Sequence, residues 1–196
     1  MKKSLLILVL AIFSFANAQK ETILVLGNVG FYSQKTGDSG NAREQKSFNF
    51  SPKVGYQYND NWTVGVESSI GNSKNTYTSG EYKSNNFSVG GFVRYSKKIG
   101  ELFSLYADLG TGYQNVEQTQ QNVGDFPFTS TTKANGIYVG VTPALLLNIT
   151  KNFGLNFNIG GLGYDTLNNS TNNELDTKRF NFSFGQAFSV GISKNF

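Results

Sequence analysis

The sequence predicts an all-β chain: an eight-stranded antiparallel up-and-down β-barrel that crosses a membrane. Three observations carry this. Eight segments alternate bulky apolar residues with small polar ones, the connections between them alternate long and short, and the small polar side holds very little charge. Period-two alternation marks a strand with two different faces, and a short Asn/Asp interruption marks a hairpin. A soluble barrel or sandwich would turn its bulky side inward and a charged side outward. Here the bulky side, aromatic towards the strand ends, suits lipid, and the small side suits a narrow wet interior.

Residues 47–71, SFNFSPKVGYQYNDNWTVGVESSIG, show the pattern most clearly. Phe48, Phe50, Pro52, Val54, Tyr56 and Tyr58 alternate with Asn49, Ser51, Lys53, Gly55 and Gln57. After Asn59-Asp60-Asn61 the alternation resumes, with Trp62, Val64, Val66, Ser68 and Ile70 on the bulky side. The first strand covers residues 22–33, with Ile23, Val25, Val29 and Phe31 towards lipid and Leu24 and Leu26 disturbing the other face. Beyond a second polar loop, the fourth strand sets Phe87, Val89, Val93 and Tyr95 against Ser88, Gly90, Phe92 and Arg94. The fifth sets Phe103, Leu105, Leu109 and Tyr113 against Ser104, Tyr106, Asp108 and Gly110. Ile137, Val139, Val141, Leu145 and Leu147 mark the sixth, and Phe153, Leu155, Phe157 and Ile159 the seventh. The last carries Phe180, Phe182, Phe184, Phe188, Val190 and Ile192 and closes on Phe196.

Short turns are expected at residues 59–61, 97–101 and 150–152, and long polar loops at 35–46, 72–84, 115–132 and 165–178. Three tight turns at one end and four long loops at the other are the plan of a membrane barrel. Only a closed sheet satisfies every strand's backbone groups within lipid. Pro52 and Pro143 each lack an N–H for the ladder, and a bulge at each is the expected accommodation.

The first 18 residues form a separate device. Lys2-Lys3 is a positive n-region, residues 5–15 an apolar stretch, and Ala16-Asn17-Ala18 a small-residue cleavage site. This reads as a secretory signal peptide (1–18), cut after Ala18, with one barrel domain (19–196) behind it. The apolar stretch is too short for a membrane-spanning helix, and no other approaches the length required. The chain has no cysteine, so an exported fold must find its stability elsewhere, and barrel closure supplies it. The 17 basic and 13 acidic residues give +4, two lysines leave with the leader, and the remainder are scattered. Without a basic run, nucleic-acid binding is excluded.

With signal peptide, strand count, loop asymmetry and terminal phenylalanine in place, residues 19–196 resemble the small eight-stranded outer-membrane β-barrels of Gram-negative bacteria, OmpA-like and OmpX-like. The resemblance implies a monomer in the outer membrane, in contact with its lipid and lipopolysaccharide, with loops outside and termini in the periplasm. It also implies that Phe188, Val190, Ile192 and Phe196 form the C-terminal signal read by the barrel assembly machinery. Lys194 departs from that signal, where an apolar residue is usual. No peptidoglycan-binding module is expected after the barrel.

The informative interior residues are Lys53, Glu67, Arg94 and Asp108. Lys53 and Glu67 lie seven residues either side of Asp60, and Arg94 and Asp108 seven either side of Glu101. Two opposite-charge cross-strand pairs at similar height are expected, forming a charged belt. The belt either fills the core of a barrel just wide enough for side chains, or gates a small water path. Enzymatic readings fail on composition. With no histidine, the Ser-His-Asp arrangement and His/Cys metal sites are unavailable, and no catalytic, cofactor or metal site is expected. Asp165, Glu174 and Asp176 lack calcium-loop spacing and read as solvated loop charge.

Tyr77, Tyr82, Phe126 and Phe128 stand among Asn, Ser and Thr in the loops. They suit either contact with sugars, lipopolysaccharide or an extracellular protein, or the aromatic girdle at the membrane border. The leading functional expectation is a structural and surface-interaction protein presenting four polar loops. The alternative is a narrow, porin-like gated channel for ions or small solutes. A lateral opening for small apolar molecules at Pro52 and Pro143 is a third reading, and a soluble ligand-binding barrel is the alternative fold.

Overall fold

The computed structural model describes residues 22–37, 42–123, 127–150, 153–170 and 176–195, with backbone alone at 186–190 and 195. Eight strands follow one another: β1 (Thr22–Thr36), β2 (Arg43–Gln57), β3 (Trp62–Tyr77), β4 (Gly80–Lys98), β5 (Phe103–Asn122), β6 (Phe128–Asn148), β7 (Phe153–Asn169) and β8 (Thr177–Asn195). They close in sequence order into an antiparallel barrel, β8 returning to β1. Among the described residues that closing ladder runs from Leu24↔Asn195 to Gly27↔Ile192. The expected leader and Phe196 lie outside the described residues, as do the side chains of Phe188 and Val190. Ile192 faces outward, 55% exposed.

Alternation sets the faces. Val66, Leu109, Ile137 and Phe182 stand exposed on the outside, while Leu24, Leu26, Phe92 and Tyr106 are buried within. The disturbing Leu24 and Leu26 of the first strand are thus interior residues. Trp62 and Tyr95 pair edge-to-face at 5.0 Å on the border beside the short turns. The Asn59 carboxamide oxygen accepts from the backbone N–H groups of Asn61 and Trp62, both at 2.9 Å, and closes the first of these turns.

The expected long loops require correction. β3 and β4 pair without a break up to Tyr77↔Gly80, and β5 and β6 up to Asn122↔Phe128. β1 and β2 likewise pair up to Thr36↔Arg43. A strand needs only about 9–11 residues to cross the bilayer; β6 has 21. The hairpins therefore continue as ribbons beyond the lipid span. Thr favours strands and Asn disfavours them, yet each new pair extends a ladder already formed, and context overrides propensity.

The prolines resolve differently from one another. At Pro52 there is no bulge. The β1–β2 ladder runs through Gly27↔Pro52, whereas the β2–β3 ladder skips from Phe50↔Ile70 to Lys53↔Glu67 in unchanged register. The missing N–H therefore faces β3, where Ser51 and Ser69 hydroxyls hydrogen-bond at 2.9 Å instead. Near Pro143 the β5–β6 ladder continues through Ala107↔Pro143, and the irregularity lies across β6–β7. Thr142 and Pro143 face Ile159, Gly160 and Gly161, one residue too many on β7. Gly160 takes φ +124°, which a side chain would resist. The extra residue exchanges the faces of β7. Asn156 points inward below it, while Leu162 and Tyr164 point outward and Asp165 inward above it.

Candidate functional site

The belt is one connected cluster. Lys53 on β2 and Glu67 on β3 are register partners, with Lys53 Nζ 2.7 Å from Glu67 Oε2. Arg94 on β4 and Asp108 on β5 are register partners as well. The guanidinium grips that carboxylate with two donors, Nε to Oδ1 at 2.7 Å and Nη2 to Oδ2 at 3.0 Å. Such bidentate pairs are the strong ones. Lys53 Nζ also reaches Asp108 Oδ2 at 3.0 Å, joining the two pairs across the lumen.

Aromatic residues complete the cluster. The Tyr138 hydroxyl on β6 donates to Glu67 Oε1 at 2.8 Å. Arg94 lies 3.6 Å above the Tyr106 ring, and Lys53 5.1 Å above that of Phe92. Cation–π contact supports a desolvated cation where hydration is lost. Glycine makes the space: a Cβ at Gly110 would collide with Glu67 Oε1. Two cations and two carboxylates balance, and the cluster links β2, β3, β4, β5 and β6 across the lumen.

A second cross-strand pair, an exposed arginine on a buried carboxylate, escaped the sequence reading. Asp165 belongs to β7 and is the register partner of Arg179 on β8. Arg179 donates to it from Nε at 2.9 Å and Nη2 at 3.1 Å, and Gln114 Nε2 donates to the same carboxylate at 3.3 Å. Asp165 is buried, which corrects the solvated-loop reading. Glu174 lies outside the described residues, and Asp176 accepts from the Asn169 N–H. No metal-holding group occurs among the described residues. The signal was available: Asp165 and Arg179 stand at equal distances from Asn172, as the belt pairs do from their turns. The β7 bulge hid it, because it exchanges the faces between Asn158 and Asp165.

At the outer rim the ribbons bring Tyr77, Tyr82 and Phe128 together around a recess of about 400 Å³, beside Gln120, Gln121 and Asn122. Strand alternation carries Tyr82 and Phe128 on the lumen-side face, which corrects the girdle reading for both. Phe126 lies outside the described residues. Arg43 stacks 5.1 Å from the Tyr77 ring.

Fold and interior together define a membrane-spanning barrel with a charged cluster across its lumen and an elaborated rim. Residues 5–188 match the outer membrane protein β-barrel domain family, and the chain belongs to it. No curated protein matches at a significant level. Among solved structures, a major outer membrane protein of Thermus thermophilus is similar at 11% identity and a TM-score of 0.52, over 90% of this chain and 99% of that one. Ail, the attachment invasion locus protein of Yersinia pestis, is similar at 17% identity and 0.46, over 91% and 100%. The N-terminal barrel domain of Pseudomonas aeruginosa OprF is similar at 13% and 0.36, over 91% and 98%. At these identities the likeness concerns the fold alone.

Proposed function

We propose that this chain is a non-enzymatic surface-interaction barrel, monomeric, inserted by the assembly machinery through its terminal strand. It stabilises the outer membrane and holds a ligand site outside it. The observation that carries this reading is the rim recess. Tyr77, Tyr82 and Phe128 offer flat apolar faces, and Gln120, Gln121 and Asn122 offer amides, a combination that suits saccharides. The ribbons hold the recess on paired strands, so binding need not order a loop first. The test is binding of the refolded protein to an oligosaccharide array, alongside Tyr77→Ser/Tyr82→Ser. Selective binding lost in the variant supports the reading; no selective binding, or binding unchanged in the variant, removes it.

A second reading, a gated channel, draws on Lys53. One ammonium shared by two carboxylates can release either, and loosening it would join the polar upper lumen to the periplasmic end. The expected behaviour in planar bilayers is a silent wild type, with discrete openings after Lys53→Ala or Glu67→Ala. Silence from all three correctly folded proteins sinks the channel.

A further inference from the structure

The lysines that look scattered along the chain are gathered by the strand register. On the outer face, Phe50, Ile70 and Phe87 form one row across β2, β3 and β4, and Phe48, Asn72 and Asn85 the next row out. The row beyond is Lys46, Lys74 and Lys83, each directly opposite the next. Strand spacing puts the outer two about 10 Å apart. Like charges directly opposite on neighbouring strands repel.

The row above compensates only in part. Glu44 lies 2.6 Å from Lys46, and Glu81 lies 2.6 Å from Lys74 and also pairs with Lys83. Hydrogen bonding to Lys74, then to Lys83, holds the Glu81 carboxyl below its usual range, and Lys46 does the same for Glu44. Lys35, the register partner of Glu44, adds a fourth cation. On the adjoining β5 face Glu117 is taken by Lys133 at 2.9 Å. Four ammonium groups thus share two carboxylates, and the patch is left with two positive charges.

Its position says what meets it. The row lies one step beyond Phe48 and two beyond Ile70 and Phe87 on the lipid-facing surface, where an apolar band gives way to charge as it does at the headgroups bordering a membrane barrel. We propose that Lys46, Lys74 and Lys83 bind a phosphate-bearing lipid of that leaflet. The phosphate sits on the lysine row and the acyl chains lie over Phe50, Ile70 and Phe87. A phosphate monoester carries close to two negative charges at neutral pH, which matches the patch.

The test uses the mature protein in phosphatidylcholine nanodiscs doped with lipid A or with its dephosphorylated form, and native mass spectrometry to read retained lipid. Each lysine near an anionic headgroup is worth about fivefold in affinity. Wild type is expected to retain the phosphorylated form at least about tenfold over the dephosphorylated one, less so in high salt. Lys74→Gln is expected to reduce that preference about fivefold, and Lys46→Gln/Lys74→Gln/Lys83→Gln to abolish it. Lys97→Gln/Lys98→Gln, at the opposite end of the barrel, should leave it intact. Heat-dependent gel mobility checks folding, and the single variant serves if the triple one misfolds. Equal retention of both lipids by wild type overturns the proposal, as does a preference that survives in the variants. Loss of retention to millimolar inorganic phosphate also overturns it, by showing a site for free anions.

Discussion

Lys53 and Asp108 meet across the lumen, ammonium to carboxylate at 3.0 Å, although their strands β2 and β5 are not neighbours in the wall. Lys53 is thereby the joint between two hairpins. Asp108 answers both Lys53 and Arg94, and its side chain is 4% exposed against 12% for Glu67. Asp108→Asn should therefore cost more stability than Glu67→Gln, on the order of 3–5 kcal/mol where the pair is dry. Urea unfolding in lipid vesicles reads both; equal losses would overturn this ranking.

Gly110→Ala tests the packing around the same cluster. The new methyl group must displace the Glu67 carboxylate, which then loses Tyr138 or Lys53. A loss of about 1–3 kcal/mol is expected, as for a buried acceptor deprived of its partner. Tyr138→Phe should recover part of the difference in the double variant, because the two changes act on one contact.

Asn156 is buried, with neither amide atom hydrogen-bonded to protein. Replacing an unsatisfied buried polar group with an apolar one of similar size removes a desolvation penalty. Asn156→Leu should raise stability by about 1–3 kcal/mol in the same unfolding experiment. A loss instead would mean that the amide holds an internal water the barrel depends on.

The outer ribbons make a prediction about exchange. Backbone amides over 72–77 and 80–86 lie in a continuous ladder, so in bilayer-embedded protein they should exchange with deuterium far more slowly than open loops. Exchange within seconds throughout would restore the loop reading.

At the β7 bulge, Gly160→Ala forces a side chain into a positive φ and should destabilise by about 1–3 kcal/mol. Since the bulge turns Asp165 inward, weakening it should also release Arg179. Arginine side-chain relaxation by NMR would show this; an unchanged Arg179 signal would separate the bulge from the ion pair.

Much of this protein was legible in its sequence because a strand's side-chain period is two. That period assigned Val66 and Leu109 to lipid and Asp108 to the lumen, and equal spacing about Asp60 and Glu101 paired Lys53 with Glu67 and Arg94 with Asp108. Those are relations within one hairpin, where the turn sets the register. Relations between hairpins were out of reach. The Lys53–Asp108 bridge and the Tyr138–Glu67 hydrogen bond depend on how strands of separate hairpins stagger around the closed wall, whereas the Lys46–Lys74–Lys83 row stayed hidden because residues 72–84 read as a loop. The Asp165–Arg179 pair stayed hidden for a different reason: one extra residue at Gly160 exchanges the faces of β7, and alternation cannot be carried through it. Along an unbroken strand, alternation alone assigns residues to lipid or to the lumen. Which of them touch follows from closing the barrel, which sets distances that no single strand contains.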